Sequence, residues 1–468
     1  MQNQLEKRYG LPTAIAMVVG IVIGSGVFFK AEKVLNVTGG NLPLGILAWL
    51  IGGCVMVACA YAFSILATRY EKVNGILDYA EAAVGEKYGY LVGWFLATTY
   101  YPTLASVLAW VSARYFSVLM GWDITGGQCM TIAGLFLVLS YVLNVLSPKL
   151  SGKFQVSTTV IKLIPLGIMA IFGTIKGLSS DMLVQNFTQT VTDDISTSSA
   201  LFQAVVATAF AYEGWIIATS INAEIKDSKK NLPRALVFGT ISVVVIYIAY
   251  YIGLAGTISN AELMDSGETG VQMAFEALLS SGAGSLLMAF IVVSCLGTLN
   301  GLMMGCVRGF YAFGARGRGP KPEYISQVDK ASNMPTNAGI VGLLLASFWL
   351  TFFYGANLTS PRWFGLFSFD SSELPIITIY AFYIPIFVSM IFKEKGLGVF
   401  KGKIAPVLAI CGSIFMIVAA CFAHGYTPYM AAKAEGSFSL PVLFYLIVFA
   451  VIMAIGVVFM KKKDIEIE

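Results

Sequence analysis

Two charged side chains stand where the surrounding sequence is almost wholly apolar, and any chemistry in this chain begins with them. Glu213 lies in ALFQAVVATAFAYEGWIIATSINAEI, and Lys162 lies in QVSTTVIKLIPLGIMAIFG. A carboxylate or an ammonium in such a run holds a proton, an ion or a polar solute, because leaving it against hydrocarbon costs several kcal/mol. Other reactive types are scarce. The one histidine, His424, sits near the end of an apolar run, so metal ligation and His-based triads have almost nothing to work with. Cys54, Cys59, Cys129, Cys295, Cys306, Cys411 and Cys421 show no metal-ligand spacing and no CxxC pair, and read as small buried hydrophobes. No cofactor is expected.

The elements that must position Glu213 and Lys162 follow from composition. The chain has 468 residues, 57% hydrophobic and 12% charged, against about 25% charged for a soluble protein. That excludes a water-soluble enzyme, and the same balance excludes a disordered chain. A net charge of +4 is too small to point to nucleic acid. A spanning helix needs about 20 apolar residues. Apolar runs bounded by charges, Gly or Pro predict twelve spans, at 11–35, 41–68, 88–119, 128–147, 154–175, 200–222, 233–257, 283–313, 337–354, 370–392, 404–423 and 439–460. The expected fold class is an all-α membrane protein in a lipid bilayer.

Lys and Arg favour alternate loops, which sets orientation. Lys7, Arg8, Lys226, Lys229, Lys230, Arg234, Arg316, Arg318 and Lys461 fall on one side, while the 258–282 loop carries Glu262, Asp265, Glu268 and Glu276 with no Lys or Arg. The first side is read as cytoplasmic, with segment 1–10 and tail 461–468 on it and Lys30, Lys33 and Arg114 outside. The expected location is the plasma membrane, crossed many times. Glu71 to Lys87 mixes polar and apolar residues and is read as an amphipathic helix at the cytoplasmic face. Arg316 to Gly319 is read as a basic turn anchored there.

Two spans carry signs of a break. The first contains Gly20, Gly24, Ser25 and Gly26 at its centre, and each glycine weakens a helix by about 1 kcal/mol relative to alanine. The sixth has Phe210, Ala211, Tyr212, Glu213, Gly214 and Trp215 at its middle. Unwound backbone at membrane depth must line a cavity or lie within protein. Breaks in the first span of each of two five-helix halves are the pattern of inverted-repeat transporters, whose substrate sits between two discontinuous helices. The halves are 11–175 and 200–392, with two further helices over 404–460. Free amides at a half-helix start attract a carboxylate and free carbonyls attract an ammonium, which together describe an α-amino acid.

The stretch IVIGSGVFF, with Gly24, Ser25, Gly26, Val27 and Phe28, and the stretch FAYEGWIIATSINAEIKDSKKNLPRAL resemble motifs of the amino acid–polyamine–organocation (APC) superfamily. The similarity is greatest to bacterial relatives of the L-type amino acid transporters, and covers the first ten spans most distinctively. The resemblance implies a substrate carboxylate on the amides of Ser25, Gly26 and Val27. It places the ammonium on carbonyls near Val22, Ile23, Phe210 and Tyr212, with Ala211 between them and Phe210 closing over the solute. Small neutral L-amino acids are the expected substrates. Glu213 departs from the glycine usual in L-type members, which leaves cationic amino acids or polyamines as an alternative.

Lys162 lies about 12 Å into the fifth span by helical rise, beyond the reach of a stem of about 6 Å to the headgroups. Some sodium-independent APC members similarly carry a lysine where sodium-coupled relatives bind an ion. The resemblance therefore implies sodium-independent exchange or proton-linked uptake, with Lys162 and Glu213 as coupling groups. From the residues alone, these two charges pair with each other, or Glu213 carries a proton or recognises an amine. Tyr100, Tyr101, Ser294, Asn300 and Tyr380 are read as packing residues. No obligatory protein subunit is evident. A channel lacks its ring of like groups and a membrane enzyme lacks a nucleophile–base pair, while a sensor that binds amino acids without moving them stays open.

Overall fold

Lipid offers a backbone amide no partner, so a spanning segment must close its hydrogen bonds within its own helix. The computed structural model describes residues 7–70, 75–192, 197–266, 269–372 and 374–461, and every regular element among them is helical. In chain order the main helices are α1 (Leu11–Val22), α2 (Gly26–Val37), α3 (Leu42–Arg69), α4 (Gly75–Ala83), α5 (Glu86–Met120), α6 (Gly127–Leu146) and α7 (Pro148–Ser179). They continue with α8 (Thr197–Tyr212), α9 (Ser228–Ala255), α10 (Ala283–Gly314), α11 (Thr336–Leu358), α12 (Leu374–Lys393), α13 (Phe400–Ala434) and α14 (Pro441–Val458).

Among the described residues, ten helices are long and apolar enough to cross a membrane, or eleven when the bent pair α1–α2 counts as one span. The expected span 370–392 falls on α12, whose described apolar part, Thr378–Lys393, is shorter than the others. The fifth predicted span begins earlier than its apolar run. α7 starts at Pro148, so Lys162 lies near the middle of a 32-residue helix rather than in its first turns. Polar residues on its inward face (Ser151, Gln155, Thr158 and Thr159) are buried against other helices, so hydropathy alone misplaced the start.

Other readings are also adjusted. Lys30 is not on an outer loop: it belongs to α2 and is only 3% exposed. Cys54, Cys411 and Cys421 are exposed on the helix surfaces rather than buried. The amphipathic segment forms α4, with residues 71–74 outside the described ones. The basic turn holds this helix and the start of α5: Arg316 pairs with Asp78 and Glu81 of α4, and Arg318 with Glu86 at 2.6 Å.

At the basic end, a buried pair ties the N-terminal strap to the bundle. Arg308 Nε on α10 donates to Glu224 Oε1 at 2.5 Å, both side chains at most 2% exposed. The Glu224 carbonyl accepts the amides of Arg8 at 2.7 Å and Tyr9 at 2.9 Å, and Tyr9 returns its own carbonyl to the Lys226 amide. Burial, then the nearby Glu224 carboxylate, pushes the Tyr9 phenol up to about 12, so it stays neutral.

Helices α7 and α9 touch backbone to backbone. A Cβ on Gly253 would run into the Met169 carbonyl, and one on Gly256 into the Gly173 carbonyl. Small residues at such a crossing replace the hydrophobic effect as the source of helix association in lipid. Backbone cannot swing aside as a side chain does, so Gly253→Val is expected to lower stability by about 3 kcal/mol or more. Thermal unfolding of the purified variant in detergent measures this, and an unchanged midpoint would show the crossing to be adaptable.

Candidate functional site

The first break is built by what the surrounding helices offer its orphan carbonyls. α1 ends at Val22, Ile23 turns extended with ψ 95°, and α2 starts at Gly26, bent 43° from α1. The carbonyls of Gly20, Val22, Ile23 and Gly24 thereby lose the helical geometry that would satisfy them. Each finds a side chain instead. Lys162 Nζ donates to Gly20 O at 2.6 Å and Ile23 O at 2.5 Å, and lies 3.2 Å from Thr298 Oγ1. Thr298 Oγ1 itself stands 3.2 and 3.1 Å from the same two carbonyls. Ser294 Oγ donates to Gly24 O at 3.2 Å.

The second break faces the first. α8 ends at Tyr212, and the chain resumes as a tighter helical stretch, Trp215–Glu224, after Gly214 at φ +97°. That left-handed φ suits glycine, and a Cβ there would also meet Ile21 Cγ2 at 2.7 Å. Gly26 makes the other close approach, since its Cβ would lie 2.8 Å from Ala211 Cα. One hydroxyl spans both breaks. Tyr247 OH on α9 is 3.0 Å from Val22 O and 3.0 Å from Ala211 O, and donates its single proton to either. Tyr212 OH donates to Trp49 O on α3 at 2.9 Å.

Glu213 is 5% exposed and sits between the breaks and the tyrosines of α5 and α12. Tyr100 OH donates to Glu213 Oε2 at 2.5 Å, and the Tyr380 hydroxyl and Gly214 amide are further donors. Tyr100 reaches it from a widened π turn, Leu96–Tyr100, just before Pro102; such turns re-aim side chains within a helix. Lys162 and Glu213 therefore do not pair: each has its own set of partners.

A cavity of about 20 Å³ lies between the breaks, lined by Ile21, Val22, Gly24, Ser25 and Gly26, by Phe210, Glu213 and Gly214, and by Leu104, Leu108, Thr298 and Leu302. That is room for about one water. Anything larger enters only if the walls part. Among the described residues the buried Ser25 hydroxyl has no oxygen or nitrogen partner, and the Cys295 thiol lies near it. Lys30 Nζ stands 5.2 Å over the Phe210 ring.

Of the residues singled out in the sequence, Val22, Ser25, Gly26, Phe210 and Glu213 line this cavity, while Ile23, Val27, Ala211, Tyr212 and Lys162 are not among its lining residues. The Ile23 carbonyl is already engaged by Lys162 and Thr298. Tyr247, Thr298, Tyr100 and Tyr380 organise the site and were missed or read as packing. The spacing of Ser294 and Thr298, four apart on one face of an apolar helix, was a usable signal. Nothing in sequence marks Tyr247 among the other tyrosines.

The sequence profile of the amino acid permease family matches residues 9–452. The serine/threonine exchanger SteT of Bacillus subtilis is 31% identical, over 89% of this chain and 91% of its own length. The human cystine/glutamate transporter is 24% identical over 72% of this chain and 66% of its own. The human large neutral amino acids transporter small subunit 2 is 27% identical over 71% and 62%. These relatives are named as transporters and exchangers, not enzymes. With a family profile matched along nearly its whole length and a bundle of membrane-crossing helices, this multi-pass membrane protein belongs to the amino acid permease family.

Proposed function

We propose that the chain is a secondary active transporter that moves small neutral L-amino acids by alternating access, through exchange or proton-linked uptake, without sodium. The observation that carries this reading is the opposition of two helix breaks across one cavity. The amides of Ser25, Gly26 and Val27 open α2 and supply donors for a carboxylate. The carbonyl ends at Phe210 and Tyr212, and whichever of Val22 and Ala211 the single proton of Tyr247 leaves, supply acceptors for an ammonium. Ile23, engaged by Lys162, is left to shape the break. Phe210 closes over the solute, and Leu104, Leu108 and Leu302 give its side chain apolar walls. A named serine/threonine exchanger among the relatives supports small substrates and exchange.

In this reading α1–α2 and α12 complete twelve spans. Residues 11–175 and 200–392 are inverted repeats, and 404–460 adds α13 and α14. The basic ends, 1–10 and 461–468, face the cytoplasm of a plasma-membrane protein. The Glu224–Arg308 pair and the Tyr9 strap seal that end and separate when the cavity opens to it.

Lys162 takes the place of a coupling cation. Two carbonyls and a hydroxyl, within 3.2 Å of its ammonium, form the kind of oxygen set a small monovalent cation would use. Uptake into proteoliposomes is expected to be unchanged when choline replaces sodium, and a loss beyond about tenfold, or 1.4 kcal/mol, would overturn the assignment. Lys162→Ala should lower turnover by about tenfold or more while substrate affinity changes less, as expected when an interaction specific to the moving state is lost. Normal turnover in that variant would leave the lysine a structural role only.

The buried carboxylate on the cavity wall favours a second reading, in which Glu213 receives a cationic side chain or a polyamine. Glu213→Gln separates the two. As a recognition group its loss should weaken cationic solutes about tenfold, the cost of a hydrogen bond to a charged group, and spare alanine-sized solutes. As a proton carrier its loss should flatten the pH dependence of net uptake and leave exchange intact. Counterflow with the twenty amino acids and common polyamines at two pH values reads both outcomes; binding without accumulation would instead identify a sensor.

A further inference from the structure

The molecule has a second, larger cavity on its lipid-facing surface that the transport reading does not use. It is a groove of about 540 Å³ walled by Gly53, Cys54, Val57, Ala58 and Tyr61 of α3, Val237, Ile241, Val244 and Val245 of α9, and Phe400, Ala405 and Leu408 of α13. No charged residue lines it. Its length along α9, eight residue steps from Val237 to Val245, is about 12 Å of helical rise. That is less than half of a hydrocarbon core of about 30 Å, so the groove lies within one leaflet.

Its mouth is basic. Lys230, Arg234, Val237, Ile241 and Val245 recur every three or four residues on α9, so the two cations share a face with the groove and lie one to two turns beyond its end. Lys401 and Lys403 follow Phe400 directly on α13. All four are exposed. Tyr61 and Phe400 meet edge-on at 5.9 Å beside that mouth, the place where aromatic rings settle between hydrocarbon and headgroup.

We propose that this groove binds an anionic glycerophospholipid, one acyl chain lying between α3, α9 and α13 and the phosphate headgroup held by Lys230, Arg234, Lys401 and Lys403. An apolar trench that ends in several cations of one sign matches a molecule with an apolar tail and a negative head, and discriminates against a zwitterionic one. The site touches the broken helices at one remove. The same two helices carry Tyr247 and Trp49, which meet the breaks through the Val22, Ala211 and Tyr212 contacts. Occupancy therefore braces the pair α3–α9 against α13.

Native mass spectrometry of the full-length protein in detergent, titrated with phosphatidylglycerol or phosphatidylcholine, tests the site without reference to transport. The expected result is a retained phosphatidylglycerol adduct at lipid concentrations where phosphatidylcholine leaves none. Lys230→Gln with Arg234→Gln should weaken that adduct by about fivefold for each cation removed, and Ala58→Trp, which fills the groove, should abolish it. Lys149→Gln with Lys153→Gln, exposed basic residues on the same side but away from the groove, should leave it unchanged. Equal retention of the two lipids, or equal weakening by the Lys149 and Lys153 pair, would overturn the proposal in favour of unspecific surface charge.

Discussion

A helix interrupted inside a membrane leaves carbonyls that cost several kcal/mol each unless something polar reaches them. Here Lys162, Thr298, Ser294 and Tyr247 reach the carbonyls of Gly20, Val22, Ile23 and Gly24. These four side chains come from α7, α9 and α10, so the break between α1 and α2 exists only because three other helices are docked around it. The dependence is mutual. An ammonium buried at Lys162 is tolerable because those same carbonyls face it.

The second charge obeys the same rule with different partners. Glu213 is surrounded by donors, chiefly Tyr100 and Tyr380, and lies on the cavity wall rather than against Lys162. Keeping the two charges apart has a physical consequence. A directly bonded Lys–Glu pair would neutralise itself and tie its helices together, whereas separate cages leave each charge free to answer to a change in the break it adjoins. Tyr247 links the breaks by a proton that either Val22 or Ala211 can accept, so movement of α1 relative to α8 is felt at one hydroxyl.

The ends of the bundle are held by longer-range contacts. Glu224 follows the second break and meets Arg308 of α10, while its carbonyl gathers the strap at Arg8 and Tyr9. Arg316, two turns further along from Arg308, fastens α4 through Asp78 and Glu81. A buried ion pair of this kind repays its desolvation poorly as a source of stability. In the proposed transport cycle it suits a closure that is made and unmade, because both groups are ones water solvates well once they part.

Much of this was legible in one dimension. Hydropathy and length determine a many-helix membrane bundle, and the glycines around Ser25 together with the isolated Glu213 locate both breaks, because a weak helix and a costly charge are local properties. The GSG and FAYEGW stretches carry the family resemblance for the same reason. Who meets whom was decided only by tertiary packing. No spacing within α7 tells that Lys162 points at Gly20 and Ile23 rather than at Glu213, since the partners lie 139 to 142 residues away in the chain. Nor does sequence distinguish Tyr247 from the buried Tyr251 one turn on; only the packing of α9 against the broken helices shows which phenol meets both. Local chemistry says where the backbone must fail to be helical, and only the docked neighbours supply the hydrogen bonds that let it.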